Sequence, residues 1–292
     1  MGLRAKFNIA IVAAFLVGFA VAGVALQRFF IEEARQQVLR DAGIMMTSAN
    51  AIRTFTDKYI GPLAAEQNNT GKTFVAASVP SFVAQTTFAD VQKQYPDFVY
   101  REPALNPTNP SDRPTDWEAD FINAFRNKSD LKELTGDRET PTGRVLSLAR
   151  PIPIDDPACL QCHSTPSQAP QTMLATYGSA NGFGWRLHEI VGAQIVSVPM
   201  ALPMQQAHDR FVAFMIMLGG VFVLVLIILN VLLHYTVIQP VLALAHVANA
   251  VSLGDQTVEE YERKGRDEIA ILSRSFNRMR RSLDSAMRML DS

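Results

Sequence analysis

Residues 211–233 read FVAFMIMLGGVFVLVLIILNVLL. The run carries no charge, and its one amide side chain is Asn230. About twenty such residues span the hydrocarbon core of a bilayer. A soluble helix of this length with no charged face would have to be enclosed by protein all round, so the stretch reads as a membrane span. Working outward from it, residues 7–26 form a second apolar run, FNIAIVAAFLVGFAVAGVAL, preceded by Arg4 and Lys6. Ala20-Val21-Ala22 offers a cleavage site of the A-x-A kind. The run is nevertheless longer than the roughly 7–15 residues of a signal-peptide core, and it passes without a break into a helical pattern. It is therefore read as an uncleaved transmembrane helix. Basic flanks stay in the cytoplasm. The expected topology is residues 1–6 inside, 7–26 spanning, 27–210 outside, 211–235 spanning again and 236–292 inside. In a bacterium this puts the chain in the inner membrane and its middle segment in the periplasm.

The chain has 292 residues and a formal net charge of −1. No basic patch interleaved with aromatics stands out, so nucleic acid is not an expected partner. The lipid bilayer is.

Between the spans lies Cys159-Leu160-Gln161-Cys162-His163, a C-x-x-C-H run that holds both cysteines of the chain. Two thiols at this spacing can each add to a vinyl group of haem, and the next histidine then lies under the iron as its proximal ligand. One covalent haem c is thus the expected cofactor, with Cys159 and Cys162 as attachment points and His163 on the iron. A thioredoxin-like redox pair would want a βαβ setting; here Pro151, Pro153, Pro157 and Pro166 mark irregular loop. A zinc site would need a fourth ligand from afar, such as His188, and would crowd the adjacent Cys162 and His163 onto one ion. The external location agrees with c-type attachment, which takes place outside the cytoplasmic membrane.

The segment around this motif has the size of one domain. Ile31, Ala34, Val38, Ala42, Met45, Ala49, Ile52 and Tyr59 recur at helical steps, which predicts a helix that carries the first span outward as a stalk and ends at Gly61-Pro62. A second helix fits residues 115–125, capped by Thr115 or Asp116. Asn106-Pro107-Thr108-Asn109-Pro110 must be a loop or turn. Strands fit Arg144 to Leu148 and Ile190 to Pro199. Few strands joined by helices indicate an α+β domain.

After the second span, Val241, Leu244, Ala248 and Val251 step by three and four, and Gly254-Asp255 breaks the pattern. Ile269, Leu272, Phe276, Met279, Leu283, Ala286 and Leu290 then form a strict a/d seam from Asp267-Glu268 onward. Two short helices of one chain cannot bury both seams. A parallel four-helix bundle of two chains can, so a homodimer is expected.

Pro240, Gly254-Asp255, Asp267-Glu268-Ile269, Leu272 and Phe276-Asn277-Arg278-Met279 resemble a HAMP module over about residues 236–290. Such modules follow a transmembrane helix and relay signals in dimeric receptors. The outer segment resembles the single-haem c-type sensor family with a PAS-like fold. The residues that carry this are Ala104-Leu105-Asn106-Pro107-Thr108-Asn109-Pro110, Trp117-Glu118, Arg150-Pro151, the C-x-x-C-H run, Tyr177-Gly178, Asn181-Gly182-Phe183-Gly184-Trp185 and 191–200. The resemblance spans most of residues 31–200 and implies the same three haem residues, Cys159, Cys162 and His163. A soluble member of that family takes a cysteine ahead of a proline as second axial ligand. Ser78, ahead of Pro80, stands there in this chain, which has no third cysteine, so that ligation does not carry over. Met45 and Met46 are the other candidates for the distal side; a methionine ligand would raise the iron's potential. An open distal site would instead suit a small gas.

The expected architecture is an α+β PAS-like external domain between two transmembrane helices, with a C-terminal HAMP parallel coiled coil. The expected function is a receptor that senses redox state or a small gas at the haem. With no output domain after the seam, a separate cytoplasmic protein or a membrane complex would read the signal. The competing function is electron transfer, or an accessory subunit of a membrane complex. No catalytic constellation is visible, so the chain is read as a non-enzyme.

Overall fold

The computed structural model describes residues 2–141, 143–255 and 257–290. It divides into two compact units, Arg28–Arg210 and the remainder. Helix α1 (Leu3–Phe55) contributes to both, and α2 is Gly61–Thr70. The first unit continues with α3 (Pro80–Gln94), β1 (Val99–Arg101), α4 (Asp116–Asn127), β2 (Leu134–Thr140) and β3 (Gly143–Pro153). It is completed by the short helices α5 (Leu160–His163) and α6 (Gln171–Tyr177) and by β4 (Ile190–Pro199). The other unit holds most of α7 (Ala201–Leu233), then α8 (Gln239–Ser252) and α9 (Glu268–Leu290). Two helices long and apolar enough to cross a membrane therefore flank an α+β domain.

The four strands form one antiparallel sheet in the order β1-β4-β3-β2. Strand β4 is buried along nearly its whole length, which explains its richness in Val and Ile: both of its faces are covered, and its buried polar residues are paired, Gln194 with Asn50 and Tyr100 and Ser197 with Ser147. On one face, Val38, Ala42, Met46 and Ala49 of α1 join Ala84 and Phe88 of α3 against Tyr100, Leu146, Leu148, Val196 and Val198. On the other, Ile122 and Phe125 of α4 pack on Ala149, Ala193 and Ile195. Burying each such large side chain contributes about 1.5–3 kcal/mol. Helix α4 begins where Thr115 donates both its N–H (2.7 Å) and its hydroxyl (2.9 Å) to the Glu118 carboxylate, so Thr115 is the cap.

The apolar stripe of α1 differs from the expected one at three places. Met46 is the buried methionine, Met45 is partly buried, and Ile31 and Tyr59 are exposed at 41% and 60%. The chain also does not stop at Gly61-Pro62. A π-helical turn, Thr56–Ile60, leads straight into α2, with Pro62 in its first turn. Proline lacks an N–H and its ring crowds the carbonyl four residues back; the wider π turn relieves both problems. The same device recurs at His234–Ile238 ahead of Pro240. There Arg263 donates to the Thr236 carbonyl at 3.1 Å, the group that Pro240 leaves without its helical donor.

In the other unit the two apolar helices run antiparallel. Asn8 donates to Asn230 at 3.0 Å, Phe15 stacks on Phe222, and Gly23 leaves room for Met215. The connector between α8 and α9 is held by α9 itself. The Tyr261 carbonyl accepts from Ser273 and Asn277, and Arg281 forks onto Glu260 at 2.9 and 2.6 Å. The buried face of α9 is therefore Ala270, Ser273, Asn277 and Arg280. The seam faces elsewhere: Leu272, Met279 and Leu283 are 50%, 63% and 54% exposed. The side chain of Leu290 lies outside the described residues.

Candidate functional site

At the end of β3 the chain turns at Asp156, whose carboxylate accepts from the Ala158 N–H at 2.8 Å. A 3-10 turn, Pro157–Cys159, runs directly into α5. Cysteines three apart in such a turn lie on the same side, and both are half-buried free thiols. Burial raises the pKa of each, with Asp156 adding to the rise at Cys159 and Cys159 to that at Cys162. They are therefore held as protonated thiols.

His163 is fixed from three directions. Its Nδ1 donates to the Gly182 carbonyl at 2.8 Å, with Thr108 Oγ1 3.4 Å from the same nitrogen. Its ring stacks on Trp185, with centroids 4.0 Å apart and planes 16° from parallel. The Trp185 backbone N–H donates to the His163 carbonyl at 3.2 Å. A proton on Nδ1 leaves the Nε2 lone pair free, the arrangement of a metal-ligating imidazole with an ordered partner behind it. Burial lowers the pKa of the ring, which favours the neutral, ligating form.

The loop 104–110 buttresses this arrangement. Asn106 accepts from the Gly182 N–H and donates to the Phe183 carbonyl, both at 3.2 Å. Gly182 has φ +83°, and a Cβ there would lie 2.0 Å from Thr108 Oγ1. Only glycine permits both the backbone twist and the close approach. Asn106, Thr108, Gly182 and Trp185 were visible in the sequence only as parts of a motif; their role in orienting His163 depends on contacts across dozens of residues.

The remaining candidates are held by contacts of their own. Met46 is fully buried in the α1–sheet core, and Met45 packs at its margin. The Ser78 hydroxyl donates to the Val75 carbonyl at 2.7 Å and accepts from Asn68 at 2.8 Å. His188 is exposed and faces Asp155 at 3.4 Å. Among the described residues, no three His, Cys, Asp or Glu side chains gather in a way that could hold a bare metal ion. An open apolar pocket of about 480 Å³ is lined by Ala51, Ile52, Phe55, Thr56, Ile60, Ala77 and Val83. It includes neither thiol nor His163.

The Tll0287-like family matches residues 31–199, more than half of the chain and all of this site. The chain belongs to the Tll0287-like family. A HAMP domain, a signalling module of membrane proteins, matches residues 232–285. The crystal structure of the cyanobacterial heme-protein Tll0287 is similar at 18% identity, covering 55% of this chain and 94% of that one with a TM-score of 0.41. The Tll0287-like site rests on its own contacts. No curated protein matches the chain.

Proposed function

We propose that this chain is a membrane signalling receptor whose Tll0287-like domain carries one covalent c-type haem on the periplasmic side. The observation that carries the reading is His163, half-buried, with Nδ1 donating to the Gly182 carbonyl so that Nε2 is left to ligate, directly after two half-buried thiols. The residues fit the group. Cys159 and Cys162 would hold it, each thiol adding across a vinyl group with its hydrogen going to carbon, so that two thioethers would anchor the ring. Bound there, haem supplies an iron that changes oxidation state or takes a diatomic ligand. Gly182 and Thr108 hold the imidazole proton on Nδ1, and Trp185 limits rotation of the imidazole. The family is described after Tll0287, itself known as a cyanobacterial heme-protein, which supports the same cofactor.

On the distal side, the enclosed position of Met46 favours a packing role for it. Ser78, on the segment that adjoins the π turn, remains a proposed distal neighbour. A HAMP domain after an apolar helix supports signal relay over simple electron transfer, and the half-exposed seam supports pairing of two chains in a parallel bundle. The test is a distance measurement between spin labels at Leu283 in dimers, with the haem oxidised and then reduced. The reading expects two distances. One distance in both states, while the absorption spectrum shows that the haem has changed, assigns the chain to electron transfer.

A further inference from the structure

Residue 102 joins two things that the fold keeps well apart in sequence. Glu102 is buried, 3% exposed. Arg53 of α1 forms an ion pair with it, and the Tyr100 hydroxyl donates to it at 2.6 Å. Its backbone N–H donates to Gln85 of α3 at 3.2 Å. Tyr100 in turn accepts from Gln194 at 3.0 Å, and Gln194 also donates to Asn50 of α1 at 2.9 Å. Asn50 and Arg53, about one turn apart on α1, are thus held to the sheet by one polar cluster centred on Glu102. The rest of that helix face meets the sheet through Val38, Ala42, Met46 and Ala49, whose contacts are non-directional.

Onward from Glu102 the chain leads to the imidazole. The Pro103 carbonyl accepts from Ala193 at 3.0 Å, so close to β4 that a Cβ on Gly192 would lie 2.5 Å from it. The Ala104 N–H donates to Asp112 and the Leu105 N–H to Val191. Asn106 then grips the Gly182 loop, and Thr108 and the Gly182 carbonyl meet His163. Residues 102–108 are therefore a short strap pinned at one end to α1 and at the other to the imidazole. Arg53 is also close enough to Cys159 for its charge to bear on the sulfur.

We propose that Glu102, with Arg53 and Tyr100, is the joint that couples the state of the His163 site to helix α1. The inference rests on the haem reading above. A buried ion pair adds little net stability over an apolar substitute; what it adds is a directional link that can be strengthened or weakened by a nearby charge. A haem held by Cys159, Cys162 and His163 would gain one positive charge on oxidation, at a site whose Cys159 thiol already feels Arg53, and so would shift the balance of the Arg53–Glu102 pair. Coupling of this kind is reciprocal, so the pair must bear on the iron in return.

The reciprocity gives the test. In the full chain in detergent, Glu102→Gln should raise the haem midpoint potential, because it removes a negative charge that favours the oxidised form. Arg53→Gln should lower it. Both should reduce the oxidised-minus-reduced change in Leu283 spin-label distance by at least half. Tyr100→Phe, which keeps the ring packed on Phe88 and loses only the hydroxyl, should also reduce it and guards against misfolding of the charge variants. Potential shifts of the same sign in both charge variants, or an undiminished distance change in all three, would overturn the joint. Wild type without haem would sink the haem reading itself.

Discussion

Gly182→Ala is the sharpest perturbation that the structure offers. The added Cβ would lie 2.0 Å from Thr108 Oγ1 and 2.8 Å from Thr108 Cα. The second contact is with backbone, so a side-chain rotation cannot relieve it. The φ of +83° adds about 1–2 kcal/mol of left-handed strain. Relief by moving the loop sacrifices the 2.8 Å bond from His163, worth about 1 kcal/mol, and the residual overpacking adds about 1–3 kcal/mol. The expected total is about 3–6 kcal/mol. Gly184→Ala is the control: it lies on the same loop at φ +80° with nothing near its Cβ, so it should cost only about 1–2 kcal/mol. Thermal melts of the full chain, followed by near-ultraviolet circular dichroism, would compare the two. About 1 kcal/mol corresponds to about 2–4 °C in a domain of this size, so Gly182→Ala should melt several degrees below Gly184→Ala. The haem should also show weakened histidine ligation, since losing an ordered partner of a ligating imidazole typically costs 10–100-fold in metal affinity. Equal melting points with unchanged spectra would refute the argument.

Phe125→Ala should destabilise the outer domain by about 3–5 kcal/mol, because the ring is fully buried against the α4 face of the sheet; urea titration measures it. Met46→Leu should cost less than about 1.5 kcal/mol and leave the haem spectrum unchanged if the thioether only fills the core; a shifted absorption maximum would restore it as an iron ligand. Cysteine at Leu272 or Met279 should cross-link between chains in membranes far more readily than at Arg274, which donates to the Gly265 carbonyl at 2.8 Å, or at Arg281; equal yields would count against a parallel seam. In haem-free protein, His163 should make stability pH-dependent. Its folded pKa is lowered by burial from 6.5. The unfolded chain therefore binds the proton first as pH falls, and stability present above about pH 6.5 declines below it. His163→Gln should flatten that part of the profile.

Much of the outer domain could be read because its signals are local. Strand β4 covers the expected residues because a strand buried on both faces is rich in Val and Ile. Helix α4 begins at the expected cap. Strand β2, Leu134–Thr140, escaped notice because it is a polar edge with alternate residues in solvent. Helix α3 escaped because only Ala84 and Phe88 of its fifteen residues are buried, too few for a visible stripe. Gly61-Pro62 misled because its stop signal is overridden by a π turn. At the site, the C-x-x-C-H run was legible since its residues are adjacent. Its supports were not, because Thr108 and Gly182 reach His163 from 55 and 19 residues away. Glu102 gave no sign of its burial, since a carboxylate in sequence usually means solvent.

The central claim is that Cys159 and Cys162 hold haem through carbon–sulfur bonds. Full-length protein made in cells able to mature c-type cytochromes, then denatured and extracted with acidic organic solvent, should keep the added mass of one haem. The Cys159→Ala, Cys162→Ala double variant should lose it. Wild-type protein that gives up all its haem to the solvent, or carries none, contradicts the account.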